Sequence, residues 1–252
     1  MQAFRPAYAV AWHDRISACA SFRLNSIHMT NAVSRDQGFL TVPDVLQPAE
    51  VATLRAEIAA MRGGRAGVRH VLTNPVIRRI AEDPRLVRLA SDLLGAPVQL
   101  FKGTLFDKSP TTNWLVAWHQ DLALPVRERV EAPGWGPWST KGGRLYVLAP
   151  AGVLAGVVAL RVHVDDSTSD NGPLRVLPNT HLLGRLSEVR IAELARERQV
   201  VDCVVAAGGV VALRPLTVHA SSKLTSAMPR RVLHFEYAAR VMLGDGIELA
   251  VA

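Results

Sequence analysis

Val157-Val-Ala-Leu-Arg-Val-His-Val164, stopped by Asp165-Asp166 and followed by the short run Leu174-Arg-Val-Leu177, sets the texture of most of this chain. Runs of that length, rich in Val and Leu and bounded by Gly, Pro, Asn and Asp, read as strands closed by turns. The pattern continues on both sides: Val98–Phe106 and Trp114–Trp118 before it, and Val201–Val205, Gly209–Leu213 and Val232–Tyr237 after it. Short strands at such spacing predict an all-β sandwich or barrel.

Upstream the period changes from two to 3.6. Val51, Leu54, Ile58 and Met61 form one apolar stripe of a helix that begins at Pro48 and is ended by Gly63-Gly64. A second helix is punctuated by Asp83 as N-cap, Pro84 at the first turn, and Gly95 just past the end, with Leu86, Leu89 and Leu93 inside. Helices in front and strands behind predict one α+β domain over 29–252, with the helices buttressing a sheet. Gly38 to Val42 reads as a short strand ahead of them.

Two segments stand apart. Residues 1–28 show no steady period and carry Asp14 as their sole acid, so they read as a transit peptide or as an extension ahead of Met29. The extension is favoured, because an ordered pattern opens directly after Met29. The stretch 122–156 holds Pro125, Pro133, Gly134, Gly136, Pro137, Gly142 and Gly143, and predicts a long loop that acts as a lid. Trp135, Trp138 and Arg144 lie on it, either as anchors of the loop or as parts of a substrate lid.

Composition narrows the partners. Of 252 residues 49% are apolar and 20% charged, which describes a globular chain with a real core. The net charge of +7 comes from 25 Arg and 4 Lys that are scattered rather than clustered, which does not point to nucleic acid. Cys19 and Cys203 suit neither a disulfide framework nor a thiolate site and fit a reducing cytoplasm. The longest apolar stretch, Leu145 to Leu160, is broken by Pro150, Gly152 and Gly156, so no membrane span is expected.

The chemistry is carried by Trp118-His119-Gln120-Asp121. On a strand or its end, residues i and i+2 point the same way, so His119 and Asp121 can converge on one point. With a second His they would make a facial triad, the set that leaves three adjacent positions of an octahedral iron open. His219 supplies it, 100 residues on, and Arg230 follows 11 after that. A guanidinium carried into a sandwich on a strand needs an anionic partner there. Arg231 is the neighbour that could replace it, since strand alternation lets one of the two face inward. A competing pair, His163 and Asp165, lies 56 residues before His219 counted from His163 and would leave Trp118 to Asp121 without a role. His181 is expected to cap the turn after Pro178 and His234 to pack within the last strand; Lys108, ahead of the His-x-Asp strand, could approach a cofactor's carboxylate but is not counted among the site residues.

From about Phe106 to Tyr237 the chain resembles the phytanoyl-CoA dioxygenase family. The resemblance rests on Trp118-His-Gln-Asp121, on Asn171-Gly-Pro-Leu-Arg-Val-Leu-Pro178, and on His219 with Arg230. Pro178-Asn-Thr-His181 departs from the family's usual Pro-Gly-Ser-His. The resemblance implies a double-stranded β-helix (jelly roll) and Fe(II) held by His119, Asp121 and His219. It also implies 2-oxoglutarate as cosubstrate, with Arg230 on its far carboxylate, and O2 as oxidant. The implied reaction is hydroxylation of a small molecule with release of succinate and CO2. Asp121 speaks against the related halogenases, which carry a small residue in its place. Two other readings stay open: a cupin-type metal enzyme that uses no oxoacid, and a non-catalytic jelly-roll binding module.

Overall fold

Local capping explains where the helices begin. The computed structural model describes residues 37–61 and 67–251, so the expectations for 1–28, Met29 and Gly63-Gly64 lie outside the described residues. Helix α1 (Pro48–Ala60) opens with the Gln47 amide donating to Glu50, and buries Val51, Leu54 and Ile58 as the stripe predicts. Helix α2 (Pro75–Ala81), not foreseen, is capped by Asn74, whose Oδ1 accepts from the amides of Val76 and Ile77 at 2.9 and 3.1 Å. Helix α3 (Pro84–Leu94) starts under Asp83 and stops at Gly95, which takes the left-handed conformation at φ +68°.

The remaining elements are strands, with two further helices among them. In chain order they are β1 (Phe39–Val42), β2 (Gly67–Arg69), β3 (Gln99–Lys108), β4 (Val116–His119), β5 (Ala123–Val126), β6 (Trp138–Lys141), β7 (Arg144–Leu148) and β8 (Val157–His163). After them come β9 (Leu174–Val176), β10 (Val201–Cys203), β11 (Val210–Leu213), β12 (His219–Ser221), β13 (Arg230–Ala238), β14 (Met242–Gly244) and β15 (Ile247–Glu248). The short helix α4 (Ala151–Leu154) leads into β8, and α5 (Glu188–Glu197) starts under Ser187, whose hydroxyl accepts from the Arg190 amide.

A six-stranded sheet ordered β1-β11-β8-β13-β3-β2 faces a four-stranded one ordered β10-β9-β12-β4, and together they make the jelly roll. The strand pairings are antiparallel throughout both sheets. One face of the large sheet is apolar: Leu233, Phe235 and Tyr237 of β13 pack with Leu54, Ile77 and Leu86 of the three front helices. The Tyr237 hydroxyl donates to the Ala81 carbonyl and ties α2 down.

The opposite face looks into the roll, and register builds it in rows. Lys108 stands beside Arg230; Phe106 beside Val232 and His163; Thr104 beside His234 and Arg161; Lys102 beside Glu236 and Ala159. Registered partners in a sheet share a face, so the interior of the roll is lined by charge where most sandwiches are lined by Val and Leu. At the far end the interior returns to apolar packing, with Val211 and Leu213 against Leu174, Val176 and Cys203.

The expected long loop over 122–156 is a folded three-stranded sheet, ordered β5-β7-β6. Leu124, Val126, Trp135, Val147 and Ala149 are buried in one cluster with Phe101, Val157 and Ile247. Most of the glycines and prolines that suggested a loop lie in its turns, Pro125 excepted: Gly142 and Gly143, at φ +59° and +76°, form the two-residue hairpin between β6 and β7. Among the described residues no helix is long and apolar enough to cross a membrane.

Candidate metal centre and anion pocket

The Trp118-to-Asp121 segment is shaped by its unpaired middle residue. Gln120 points away from its neighbours and is buried, donating to the carbonyls of Gly184 and Leu216 at 2.8 and 2.7 Å and accepting from the Leu186 amide at 2.9 Å. The Asp121 amide donates to the Pro215 carbonyl. Held this way, His119 and Asp121 project to one side. Across the small sheet, His219 of β12 is the register partner of His119 of β4.

Three side chains converge there. His119 Nε2 lies 3.6 Å from one Asp121 oxygen and His219 Nε2 lies 3.5 Å from the other, with the two rings 4.3 Å apart. Ligand atoms each about 2.0–2.2 Å from one ion can stand no more than about 4.4 Å apart, so both separations fit a shared ion. The rings are also set in the right tautomer. Each Nδ1 sits 2.8 Å from the carbonyl two residues back, Ala117 for His119 and Thr217 for His219. Donation there leaves Nε2 as a bare lone pair facing the aspartate, the arrangement that metal-binding imidazoles use.

Electrostatics favour the deprotonated form of Asp121 and His219. Burial, aided by His119, pushes His219 down to about 4 against the pull of Asp121. Burial alone would raise Asp121, but His219, His119 and His234 around it hold it well below the usual carboxylate range. His119 moves the other way: burial would lower it, and the hydrogen bond and charge of Asp121 outweigh that.

Below the triad, Arg230 is buried and its NH1 has no partner. Its Nε donates weakly to the Asn171 carbonyl at 3.4 Å and its NH2 to Ser221 Oγ at 3.2 Å. Lys108, also buried, donates to Ser221 Oγ at 2.8 Å and to the Ser222 carbonyl. Burial, then the charges of Arg230 and Arg161, push Lys108 down to about 8; burial and Arg161 push Arg230 down to about 9. Both shifts describe cations held without a counter-ion. The cradle depends on Gly172, at φ +69°: a Cβ there would lie 2.4 Å from the Ser222 carbonyl and 3.1 Å from Lys108 Nζ. Asn171 sets that turn, accepting from the Thr168 amide and donating to the Asp166 carbonyl.

Arg231 points elsewhere. It makes a two-pronged pair with Asp165 at 2.7 and 2.8 Å, which Arg55 of α1 joins at 3.3 Å. Asp165 is thereby spent, and His163, fully buried, has neither ring nitrogen partnered. The two do not form a ligand pair, because Asp165 anchors the end of β8 from outside while His163 faces in.

The cavity over the triad is lined by Lys102, Phe106, Trp114, Arg161, Leu174 and His234, among others. Trp135, Trp138 and Arg144 do not line it; Trp135 anchors its own sheet, its indole N–H donating to Asp245 at 3.0 Å. His234 does more than pack within its strand: it lines the cavity, receives Arg161 NH1 at 3.1 Å and stands 3.5 Å from Glu236. Lys102 pairs with Glu236 at 2.5 Å. These four were missed in the sequence, although a lone Arg inside Val157 to Val164 was a signal: an apolar strand seldom spends a central position on a charge.

The family model for phytanoyl-CoA dioxygenase matches residues 34–232. The chain belongs to the phytanoyl-CoA dioxygenase family. Within it, an L-proline trans-4-hydroxylase of Streptomyces griseoviridis is 27% identical over 242 residues, covering 79% of this chain and 82% of that protein. An ectoine dioxygenase of Bordetella parapertussis is 26% identical over 177 residues, 60% of this chain and 50% of that one. Solved structures share the fold. The epimerase SnoN, in complex with Fe3+, alpha ketoglutarate and nogalamycin RO, superposes with a TM-score of 0.68 at 22% identity, covering 90% of this chain and 96% of that one. EctD from S. alaskensis with 2-oxoglutarate and 5-hydroxyectoine gives 0.64 at 21% identity, covering 91% and 79%.

Proposed function

We propose that this chain is an Fe(II)- and 2-oxoglutarate-dependent oxygenase that hydroxylates a small molecule. The observation that carries the reading is a pairing within one cavity: two imidazole Nε2 atoms and a carboxylate converge at one end, and a buried guanidinium with an unpartnered NH1 waits at the other. A cupin-type enzyme without an oxoacid, or a binding module, would leave that guanidinium buried for nothing, at a cost of several kcal/mol. Family membership and relatives named as a proline hydroxylase and an ectoine dioxygenase support the same chemistry.

His119, Asp121 and His219 would hold the iron, and Arg230, with Ser221 and Lys108 beside it, the far carboxylate of the cosubstrate. When bound, the iron supplies oxidation by O2 coupled to decarboxylation of 2-oxoglutarate to succinate and CO2. The chain's own part is orientation. The Ala117 and Thr217 carbonyls keep both Nδ1 atoms protonated and both Nε2 atoms directed at the ion. A planar, always-charged guanidinium selects a carboxylate at a fixed distance from the metal. Phe106, Trp114 and Leu174 supply the apolar part of the lining beside the triad.

The test is succinate formation from 2-oxoglutarate in the presence of Fe(II) and O2, without added substrate. Slow turnover is expected in the wild-type chain and none in His219→Ala. Absence of any metal-dependent succinate in the wild-type chain would sink the proposal.

A further inference from the structure

Charge balance inside the roll leaves two cations over, Lys108 and Arg161. With iron and 2-oxoglutarate in place as proposed above, Asp121 and one cosubstrate carboxylate offset the metal, and the other carboxylate offsets Arg230. Lys102 is already matched by Glu236 at 2.5 Å. Lys108 is held by Ser221 Oγ and the Ser222 carbonyl, with the Arg230 carboxylate site beside it. Arg161 remains. Its side chain lines the cavity and is 6% exposed, and among the described residues no carboxylate pairs with it. What holds it is two rings: His234 at 3.1 Å from NH1, and Phe106 5.3 Å below the guanidinium. Its Nε has no partner at all. Burial disfavours the charge, against the weaker support of Asp121.

A buried guanidinium without a counter-ion is costly, and that cost persists in a fold only where an anion arrives later. The one component of the reaction not yet counted is the molecule to be oxidised. We propose that Arg161 anchors a carboxylate of the substrate, so that the chain oxidises a small acid held between Arg161 and the metal face of the triad. The two flanking positions suit such a role. His234 accepts from one arm of the guanidinium and fixes its plane, and Phe106 stacks beneath it, so the remaining donors are presented as a rigid fork for a planar carboxylate.

This inference rests on the oxygenase reading of the same site, and the experiment separates the two. Wild type, Arg161→Gln and Arg161→Lys are loaded with Mn(II), which supports binding without turnover, and melted with and without 2-oxoglutarate. Acetate and its neutral counterpart acetamide are the probes. Gln keeps a donor for His234 without the charge; Lys restores the charge. Expected results are a Tm for Arg161→Gln equal to or above wild type, a 2-oxoglutarate shift retained in all three, and an acetate-dependent rise in wild type and Arg161→Lys that Arg161→Gln lacks. Acetamide should do nothing. In a screen for increased succinate release, small carboxylic acids should act and their primary amides should not.

A fall in the Tm of Arg161→Gln would make Arg161 a structural cation and overturn the proposal. Loss of the 2-oxoglutarate shift in that variant would assign Arg161 to the cosubstrate and overturn it as well. So would an acetate effect that is absent from wild type or survives in Arg161→Gln, or amides that act as well as their acids. A wild-type chain with no 2-oxoglutarate shift would instead refute the oxygenase reading.

Discussion

Arg230 and Arg231 are adjacent on β13 and serve opposite sides of it: Arg231 is locked by Asp165 at 2.7 and 2.8 Å, while Arg230 enters the roll with NH1 unpartnered. Strand alternation forces the division. One arginine stabilises the fold, and the other is stored for an anion.

Substitution should separate them. Arg230→Leu is expected to weaken 2-oxoglutarate binding by thirtyfold or more, from the loss of about 2–5 kcal/mol in a buried charged hydrogen-bond pair, without lowering Tm. Arg231→Leu should lower Tm, because it strips Asp165 of its main partner, and leave 2-oxoglutarate affinity within about threefold. Calorimetric titration and thermal melting of the two variants would show it. The reverse assignment would mean that the register of β13 is shifted by one.

Metal affinity should discriminate between the two His-x-Asp pairs. Ala at His119, Asp121 or His219 is expected to abolish stoichiometric Fe(II) binding, since each removes one of three protein ligands. His163→Ala should bind Fe(II) like wild type, because the ring lies in the row below and Asp165 is engaged elsewhere. Equilibrium dialysis under argon would settle the comparison, and loss of iron in His163→Ala would contradict the geometry.

Gly172→Ala tests the cradle under Arg230. A methyl group there would meet the Ser222 carbonyl at 2.4 Å in a backbone at φ +69°, so carbonyl and turn must move. A loss of about 1–3 kcal/mol is expected from strain of this kind, together with weaker 2-oxoglutarate binding as Ser221 and Lys108 shift. Denaturant melts showing wild-type stability would mean that the turn is freer than its contacts imply.

An acid-dependent component of stability should come from the front helices. Arg85 of α3 bonds Glu50 of α1 at 2.5 Å and Asp83 at 2.8 Å, and those bonds hold both carboxyls below their usual range. Depressed carboxyl values stabilise the fold above the unfolded pKa values, about 3.9–4.3, and that stability is lost as pH falls through the folded ones. The groups are partly exposed, so Arg85→Ala should cost only about 0.5–1 kcal/mol near neutral pH. The gap from wild type should close as pH drops below about 4. A gap that is constant down to pH about 2 would assign the effect to packing instead.

Much of the architecture was legible before any coordinates. Apolar periodicity gave α1, punctuation gave α3, and strand runs around Val157 to Val164 gave the large sheet, because these features are local. The triad was legible because a His-x-Asp at strand spacing and a distal His suggest a shared ion, and the resemblance of Trp118 to Asp121 to the family motif chose between the two such pairs. What stayed hidden depends on register. The row joining Thr104, His234 and Arg161 exists only once β3, β13 and β8 are paired, and nothing in the local sequence states that pairing. The β5-β7-β6 sheet was concealed differently. Its strands are four or five residues long, its turns carry most of the glycine and proline, and its apolar positions acquire meaning only against Phe101 and Ile247.

The central claim is that one cavity holds a metal at the triad and 2-oxoglutarate across it. Anaerobic calorimetric titration of 2-oxoglutarate into the Fe(II)-loaded chain tests this most directly, with the metal-free chain and His219→Ala as comparisons. The account predicts one equivalent bound when iron is present and markedly weaker binding in both comparisons, because the metal would hold one end of the cosubstrate while Arg230 holds the other. Binding of equal strength in all three, or no binding to the iron-loaded chain, would contradict it.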